Sequence, residues 1–192
     1  MMRKSLITGS LVLTIILVAG LTGCGDAGGE AKSKSPVILY IQSLNGNAPF
    51  HSSVQPSTPN KEDMVKCSVA VEPIDQTSFE DASLYQNVLV KGYEISYFRK
   101  DTGTRVPETF TGSTNTYCEA KGVADFDIII CRESQKLMPP LKDLCETGYD
   151  QETGLTEIHT TCRVVVWGDT FAGEEVVSKP GHLAVNFACS WE

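Results

Sequence analysis

The chain has 192 residues, a formal net charge of −8 at pH 7 and seven cysteines. This length fits one domain of ordinary size together with a short additional segment. The acidic balance, without any run of basic residues, argues against binding to nucleic acid and against electrostatic binding to anionic lipid.

The N-terminus has the layout of an export signal. Arg3 and Lys4 precede about 15 mostly apolar residues, and small residues then lead to Cys24. A transmembrane helix needs about 20 apolar residues, so this run is too short to span a bilayer comfortably. The sequence Leu21-Thr22-Gly23-Cys24 resembles the lipobox of bacterial lipoproteins. This resemblance implies a signal peptide over residues 1–23, lipid on Cys24 and a chain anchored to a membrane.

The residues after the cysteine bear on which membrane that is. In enteric bacteria, an aspartate directly after the lipidated cysteine retains a lipoprotein in the inner membrane. Here Gly25 occupies that position and Asp26 comes one place later, so the resemblance favours the outer membrane. Removal of residues 1–23 takes two positive charges from a chain of net charge −8 and leaves −10, so attachment depends on the covalent lipid.

A polar segment follows. Residues 25–36 read GDAGGEAKSKSP, which has too little apolar surface to fold and is typical of a flexible linker. The sequence therefore predicts a tether over residues 24–36 and a folded domain over residues 37–192.

Within that domain the hydrophobic period is two, which predicts strands. Alternation is found in five segments, and Val37–Leu44 is a further candidate strand. The five are Val65–Val71, Val88–Arg99, Phe126–Ile130, Ile158–Val166 and Leu183–Cys189. Gly92 interrupts the second of these five segments and predicts a bulge there. Turn sequences such as Asn45-Gly46 and Ala172-Gly173 separate the strands. Only Glu133–Leu144 departs from this period, and Pro139-Pro140 limits it to a short, broken helix. Six to eight strands with almost no helix predict an all-β, antiparallel, immunoglobulin-like β-sandwich.

Six cysteines remain once Cys24 is assigned to lipid, and an even number in an exported chain predicts disulfides. The candidates are Cys67, Cys118, Cys131, Cys145, Cys162 and Cys189. Strand phase directs three of them towards the core and leaves Cys131 out of phase. One set of pairings joins Cys67 to Cys162, Cys118 to Cys131 and Cys145 to Cys189. A second joins Cys67 to Cys189 and Cys145 to Cys162.

One motif invites a catalytic interpretation. Asp101-Thr102-Gly103-Thr104 is identical to the signature around the catalytic aspartate of pepsin-like and retroviral-type proteases. Those enzymes need two such aspartates sharing a proton, whereas this chain has one copy, directly after two cations. Asp-Thr-Gly is also an ordinary turn sequence, so a turn is expected.

No other pattern predicts a catalytic, cofactor or metal site. The histidines are His51, His159 and His182, and none of their spacings is that of a metal site. His159 and His182 are out of phase with the apolar residues of their strands, so they are expected to face solvent. An acidic group lacks the order of a calcium loop and is expected to be solvated loop charge: Asp143, Glu146, Asp150 and Glu152.

A second resemblance covers most of residues 64–189. Trp167 to Glu174 (WGDTFAGE), with Val185-Asn186-Phe187-Ala188 after it, resembles a loose group of uncharacterised bacterial lipoproteins. The matching segments imply a turn between the last strands of a sandwich. The group has no known activity, so the resemblance implies no functional residue.

Two hypotheses about function follow. The first is a non-enzymatic envelope module, tethered through Cys24, that binds a protein or polymer or forms part of an assembly. The second is an envelope hydrolase or carbohydrate-active protein that would need carboxylates about 5–10 Å apart. Its candidate residues are Asp125, Asp127, Glu157 and Asp169.

Overall fold

The computed structural model describes residues 35–55, 61–74 and 84–189. The predicted signal peptide, Cys24 and the tether up to residue 34 lie outside these ranges. The last two residues of the predicted tether belong to the fold, because Ser35 is buried and the Pro36 carbonyl accepts a hydrogen bond from the Ile74 amide at 2.9 Å.

The described ranges contain nine strands and two short α-helices. The strands are β1 Val37–Leu44, β2 Phe50–Val54, β3 Asp63–Pro73, β4 Val88–Arg99, β5 Phe110–Cys118, β6 Val123–Cys131, β7 Glu157–Thr170, β8 Glu175–Val177 and β9 Gly181–Cys189. The α-helices are α1 Glu133–Lys136 and α2 Leu141–Thr147, and two short 3-10 helices cover Asn45–Asn47 and Leu84–Gln86. None of the described helices is long and apolar enough to cross a membrane.

The strands form two sheets, which confirms the predicted β-sandwich. The small sheet has the order β1-β3-β6, and the large sheet has the order β2-β9-β7-β4-β5 with β8 beside β7. One pair departs from the predicted antiparallel arrangement: β2 pairs with β9 in parallel. A parallel pair cannot be joined by a tight hairpin, and here the chain returns to the small sheet before it reaches β9.

Alternating residues of both sheets build the core, as the hydrophobic period predicted. In β7 every second residue from Ile158 to Thr170 is buried, and in β3 the buried set includes Val65, Cys67, Val69 and Val71. Side chains of a strand point alternately to its two faces, so one face of each sheet supplies a continuous apolar core.

Gly92 marks the predicted bulge. The pairing of β4 with both β5 and β7 shifts between Val90 and Gly92. A Cβ atom at Gly92 would lie 2.6 Å from Cζ2 of Trp167, so the glycine also makes room for the indole ring on the outer face of the large sheet.

The strands that the sequence did not predict lack apolar alternation. The inward positions of β5 include Gly112, Thr114 and Thr116, all half-buried. The ring of Tyr93 fills the space over Gly112. Its hydroxyl accepts a hydrogen bond from the Ile129 amide at 3.0 Å, and the Tyr97 hydroxyl donates to the Ile130 carbonyl. Two tyrosines of the large sheet therefore hold β6 of the small sheet.

The cysteines partly follow the predictions. Cys145 and Cys189 form a disulfide with a Cα–Cα distance of 5.1 Å, as the first predicted set has it. The other predicted bridges are not formed, because Cys67, Cys118, Cys131 and Cys162 are buried thiols. Facing sheets stand about 10 Å apart, whereas a disulfide needs Cα atoms within about 7 Å, so inward cysteines on opposite sheets do not pair by phase alone.

The assignment of Cys131 as out of phase was also wrong. The register of β3 with β6 shifts between Asp63 and Met64, and Cys131, opposite Asp63, is buried. Burial raises the pKa of Cys67, Cys131 and Cys162 to about 12, so these groups are protonated thiols at neutral pH.

Candidate functional site

Asp101 of the protease-like motif lies in a loop after β4, with both carboxylate oxygens engaged. Oδ1 accepts from Arg99 Nε at 2.7 Å and from the Gly103 amide at 3.0 Å, and Oδ2 accepts from the His159 amide at 3.2 Å. Burial raises the pKa of Asp101, but these hydrogen bonds outweigh burial and hold the pKa below its usual value. The carboxylate stays ionised and fixes a turn, as predicted.

The acidic group around residue 148 pairs with cations and amides. Arg99 Nη2 donates to Asp150 Oδ2 at 2.8 Å, and Arg105 Nη2 donates to Asp143 Oδ2 at 2.6 Å. Glu152 accepts from the amides of Thr104 and Arg105 at 2.7 and 2.8 Å. The group joins the loop after β4 to the loop before β7, so it is more than the solvated loop charge that was expected. Across the described ranges, no three or more His, Cys, Asp or Glu side chains are placed to hold a metal ion.

The four carboxylates of the hydrolase hypothesis do not converge. Glu157 and Asp169 occupy opposite ends of β7, twelve residues apart, or about 40 Å at 3.3 Å per residue. Asp125 and Asp127 lie on the outward face of β6, in the other sheet. Asp125 accepts a hydrogen bond from Ser68 at 2.6 Å, and Asp169 pairs with Lys91. Asp125 and Asp127 are therefore neighbours on one exposed strand face, in a different sheet from Glu157 and Asp169.

All three histidines lie on the outer face of the large sheet. His51 and His182 are exposed and His159 is half-buried. The outward positions of His159 and His182 agree with the prediction made for those two. His51 and His159 are both register partners of Asn186. The side chains of His51, Asn186 and His159 therefore form one row across β2, β9 and β7. His159 Nδ1 lies 3.1 Å from Asn186 Oδ1. The sequence spacing concealed this row because three separate strands contribute to it.

The same face carries apolar side chains at its other end. We call Tyr117, Trp167, Phe171 and Val177 the aromatic patch. Tyr117, Phe171 and Val177 are 43%, 52% and 53% exposed, and the rings of Tyr117 and Phe171 lie 5.5 Å apart. Val177 is the register partner of Trp167, which places both on the outward side.

Asn87, which is buried, holds this end of the sheet in place. Its side-chain amide donates to the Tyr117 hydroxyl at 2.6 Å and accepts from the Ala120 amide at 2.9 Å. Its backbone carbonyl accepts from the Phe171 amide at 3.0 Å. The hydrogen bonds of Asn87 therefore fix the Tyr117 side chain and the backbone of Phe171, the two residues whose rings are exposed.

A buried polar cluster, which the sequence did not predict, lies between β2, β3 and α1. Lys136 is 2% exposed, and its Nζ donates to Asp63 Oδ1 at 2.7 Å and to the Ser53 carbonyl at 3.0 Å. Ser52, also buried, donates through Oγ to Asp63 Oδ2. Nothing in the local sequence marks these residues, because charged side chains at a strand start and in a short helix are ordinarily exposed.

Comparison with known proteins does not assign a family. No family model matches the chain, and no curated protein matches it. Among solved structures, the chain is similar to AggA, the major subunit of aggregative adherence fimbriae type I from Escherichia coli. The match has 8% identity and a TM-score of 0.28, and it covers 80% of this chain and 95% of AggA. Identity and TM-score at this level establish neither family nor function.

Proposed function

We propose that this protein is a lipid-tethered module of the bacterial cell envelope that binds an envelope protein or polymer and performs no catalysis. The observation that carries the proposal is the aromatic patch: two exposed rings, an exposed valine and the half-buried Trp167 on the outer face of the large sheet.

Exposed aromatic side chains on a rigid sheet suit binding. Tyrosine and tryptophan are enriched among the residues that dominate binding energy, because large rings bury much surface at little cost in conformational entropy. The hydrogen bonds of Asn87 hold Tyr117 and the Phe171 backbone before any partner arrives, which reduces the ordering cost of association.

The placement of the polar groups supports a role without catalysis. Asp101 and Asp150 are bound to Arg99, and Glu157 and Asp169 lie near opposite ends of one strand. Asp125 and Asp127 are neighbours on the exposed outward face of β6, in the other sheet. Acid–base chemistry needs groups within reach of one substrate atom, and Asp101, Asp150 and Asp169 are bound to cations of the domain instead.

The proposed tether rests on the sequence. The lipobox-like residues before Cys24 and the polar linker after it support attachment of the domain to a bilayer by acyl chains. Each buried methylene contributes about 0.8 kcal/mol, so two or three chains anchor a protein stably. The outer membrane is the proposed location, because Asp26 is one place beyond the position that retains enteric lipoproteins in the inner membrane.

The decisive experiment compares two parts of the same face. A double variant, Tyr117→Ser with Phe171→Ser, removes two rings of the patch, whereas Phe98→Ser removes an exposed ring from elsewhere on the face. Phe98 is 54% exposed, which makes it a matched control. Full-length proteins are captured from detergent-solubilised membranes after chemical cross-linking, and are also sedimented with isolated cell-wall polymer.

We expect wild type and Phe98→Ser to retain the same cross-linked protein, or the same polymer, and the patch variant to lose it. The proposal is contradicted if all three proteins capture identical material, or if wild type captures nothing in either arm. Sedimentation separates a polymer partner from a protein partner.

A further inference from the structure

The pair Lys136–Asp63 is an amine and a carboxyl held in contact inside the domain. Both residues are buried, and the two side chains are 73 residues apart in sequence. Burying two charges costs several kcal/mol per ion, and a surface pair would hold the two segments together at far lower cost. The burial of this pair therefore points to a chemical role beyond linking the two segments.

Burial favours the neutral form of the carboxyl. Desolvation raises the pKa of Asp63, and the hydrogen bonds from Lys136 and Ser52 oppose that rise without cancelling it. Movement of one proton from Nζ to Oδ1, along a 2.7 Å hydrogen bond, converts the ion pair into a neutral amine and a neutral acid. These are the forms that react to give an amide.

The contact also holds the amine next to the carboxyl carbon. Reacting atoms need to approach within about 3–3.5 Å. A nitrogen 2.7 Å from Oδ1 lies within about 4 Å of Cγ, because a C=O bond is about 1.23 Å long, so a small shift brings Nζ within reach of the carbon. The Ser53 carbonyl accepts from Nζ at 3.0 Å and fixes the amine from a second direction.

We propose that Lys136 and Asp63 condense in the folded protein to an amide between Nζ and Cγ, with release of one water molecule. Nζ attacks Cγ after it has given one proton to Oδ1. The hydroxyl of Ser52 stabilises the negative charge that develops on Oδ2. Nζ then gives a second proton to Oδ1, the Cγ–Oδ1 bond breaks, and Oδ1 leaves as water. Atoms and electrons balance without an oxidant or any other reactant.

The cross-link would complete a covalent connection between the two sheets. Asp63 begins β3 of the small sheet, and Lys136 ends α1. Shortly after, Cys145 of α2 is bonded to Cys189 of β9 in the large sheet. The amide would join residues 133–147 to the small sheet, as the disulfide joins them to the large sheet.

Peptide mapping of the full-length protein tests the proposal. The protein is extracted from membranes, reduced, alkylated and digested with trypsin. Condensation predicts that peptide 62–66 is joined to peptide 133–142, with a mass lower than the sum of the two by one water, and that cleavage after Lys136 is blocked. The proposal is overturned if peptides 62–66 and 133–136 are recovered unlinked in full amount, which identifies a plain buried ion pair.

Variants then test the chemistry. Lys136→Arg should abolish the joined peptide, and Lys142→Arg should leave it intact. Lys142 is a suitable control because it lies in the same segment and forms an exposed pair with Glu146 at 3.4 Å. Ser52→Ala should lower the joined fraction severalfold, and an unchanged fraction would overturn the role of its hydroxyl. The wild-type map decides the main question even if Lys136→Arg does not fold.

Discussion

Arg99 shows how a single residue organises the loops at one end of the sandwich. Its side chain is 3% exposed and lies between Asp101, Asp150 and Glu152, while Nη1 also donates to the Arg105 carbonyl at 3.0 Å. A buried guanidinium with several planar hydrogen-bond partners has its desolvation cost offset by them. In the motif Asp101-Thr102-Gly103, the Asp101 carboxylate therefore has a structural role: it binds Arg99 and holds the loop in place.

Arg99→Met should destabilise the domain strongly, because it leaves two buried carboxylates without their cation. We expect a loss of about 3–5 kcal/mol in the free energy of unfolding. Lys91→Met is the matched control: Lys91 and Asp169 pair on the surface, and removal of such a pair costs about 0–1 kcal/mol. Urea unfolding at pH 7 measures both, and equal losses would contradict the central role of Arg99.

The same contacts predict a dependence on pH. Burial raises the pKa of Asp101 and of Asp150, but hydrogen bonds led by those from Arg99 outweigh burial and hold both below about 3.9, the ordinary value. A carboxyl with a lowered pKa contributes stability that is present above its unfolded pKa and lost as the pH falls through its folded pKa. The stability difference between wild type and Arg99→Met should therefore be large at pH 7 and shrink below about pH 4. Urea midpoints between pH 7 and 3 test this, and a difference that widens towards acid would refute it.

Among the elements, the segment of α1 and α2 depends most on tertiary contacts. Isolated helices of four and seven residues are unstable in water, so packing and covalent bonds must hold them. Leu141, Leu144 and Cys145 are buried, and Cys145 is bonded to β9. The disulfide closes a separation of 44 residues.

Removal of that disulfide should destabilise the domain by about 2–4 kcal/mol, because the unfolded chain regains the entropy of an open loop. The test is the double variant Cys145→Ala with Cys189→Ala, measured by urea unfolding. Treatment of wild type with a reducing agent is the control and should produce a similar loss, whereas the double variant should not respond to it. If the disulfide of wild type is fully reduced and the free energy of unfolding does not change, the disulfide does not have this stabilising role.

The elements differ in how far the sequence predicted them. Strands with apolar alternation, such as β3 and β7, were predicted because burial of one face requires that period. β5 was not predicted, because its inward positions carry glycine and threonine beneath the ring of Tyr93. The parallel pairing of β2 was not predictable either, since it depends on a partner more than a hundred residues later in the chain.

At the scale of the whole molecule, the proposed function combines a lipid tether, inferred from the sequence, with a sandwich domain that carries the aromatic patch. The proposed net charge of −10 after signal removal offers no electrostatic hold on anionic lipid, so the lipid on Cys24 would supply the attachment.

Cys24→Ala should release the protein from the membrane fraction and abolish metabolic labelling with palmitate. Cys118→Ala is a useful control, because Cys118 is a buried thiol of the domain and its loss should leave both measurements unchanged. Membrane-bound, labelled Cys24→Ala protein would disprove the proposed lipid site.

The sequence by itself determined the class of fold, the phase of the main strands and the prediction of an exported, lipid-bearing chain. These features depend on local order along the chain, namely a period of two and a short motif at a cysteine. Only the tertiary structure decided which cysteines pair, which carboxylates bind Arg99, and which carboxyl Lys136 contacts inside the domain. Those contacts join residues 44 to 73 positions apart, or lie across two sheets, and one-dimensional spacing does not encode such distances.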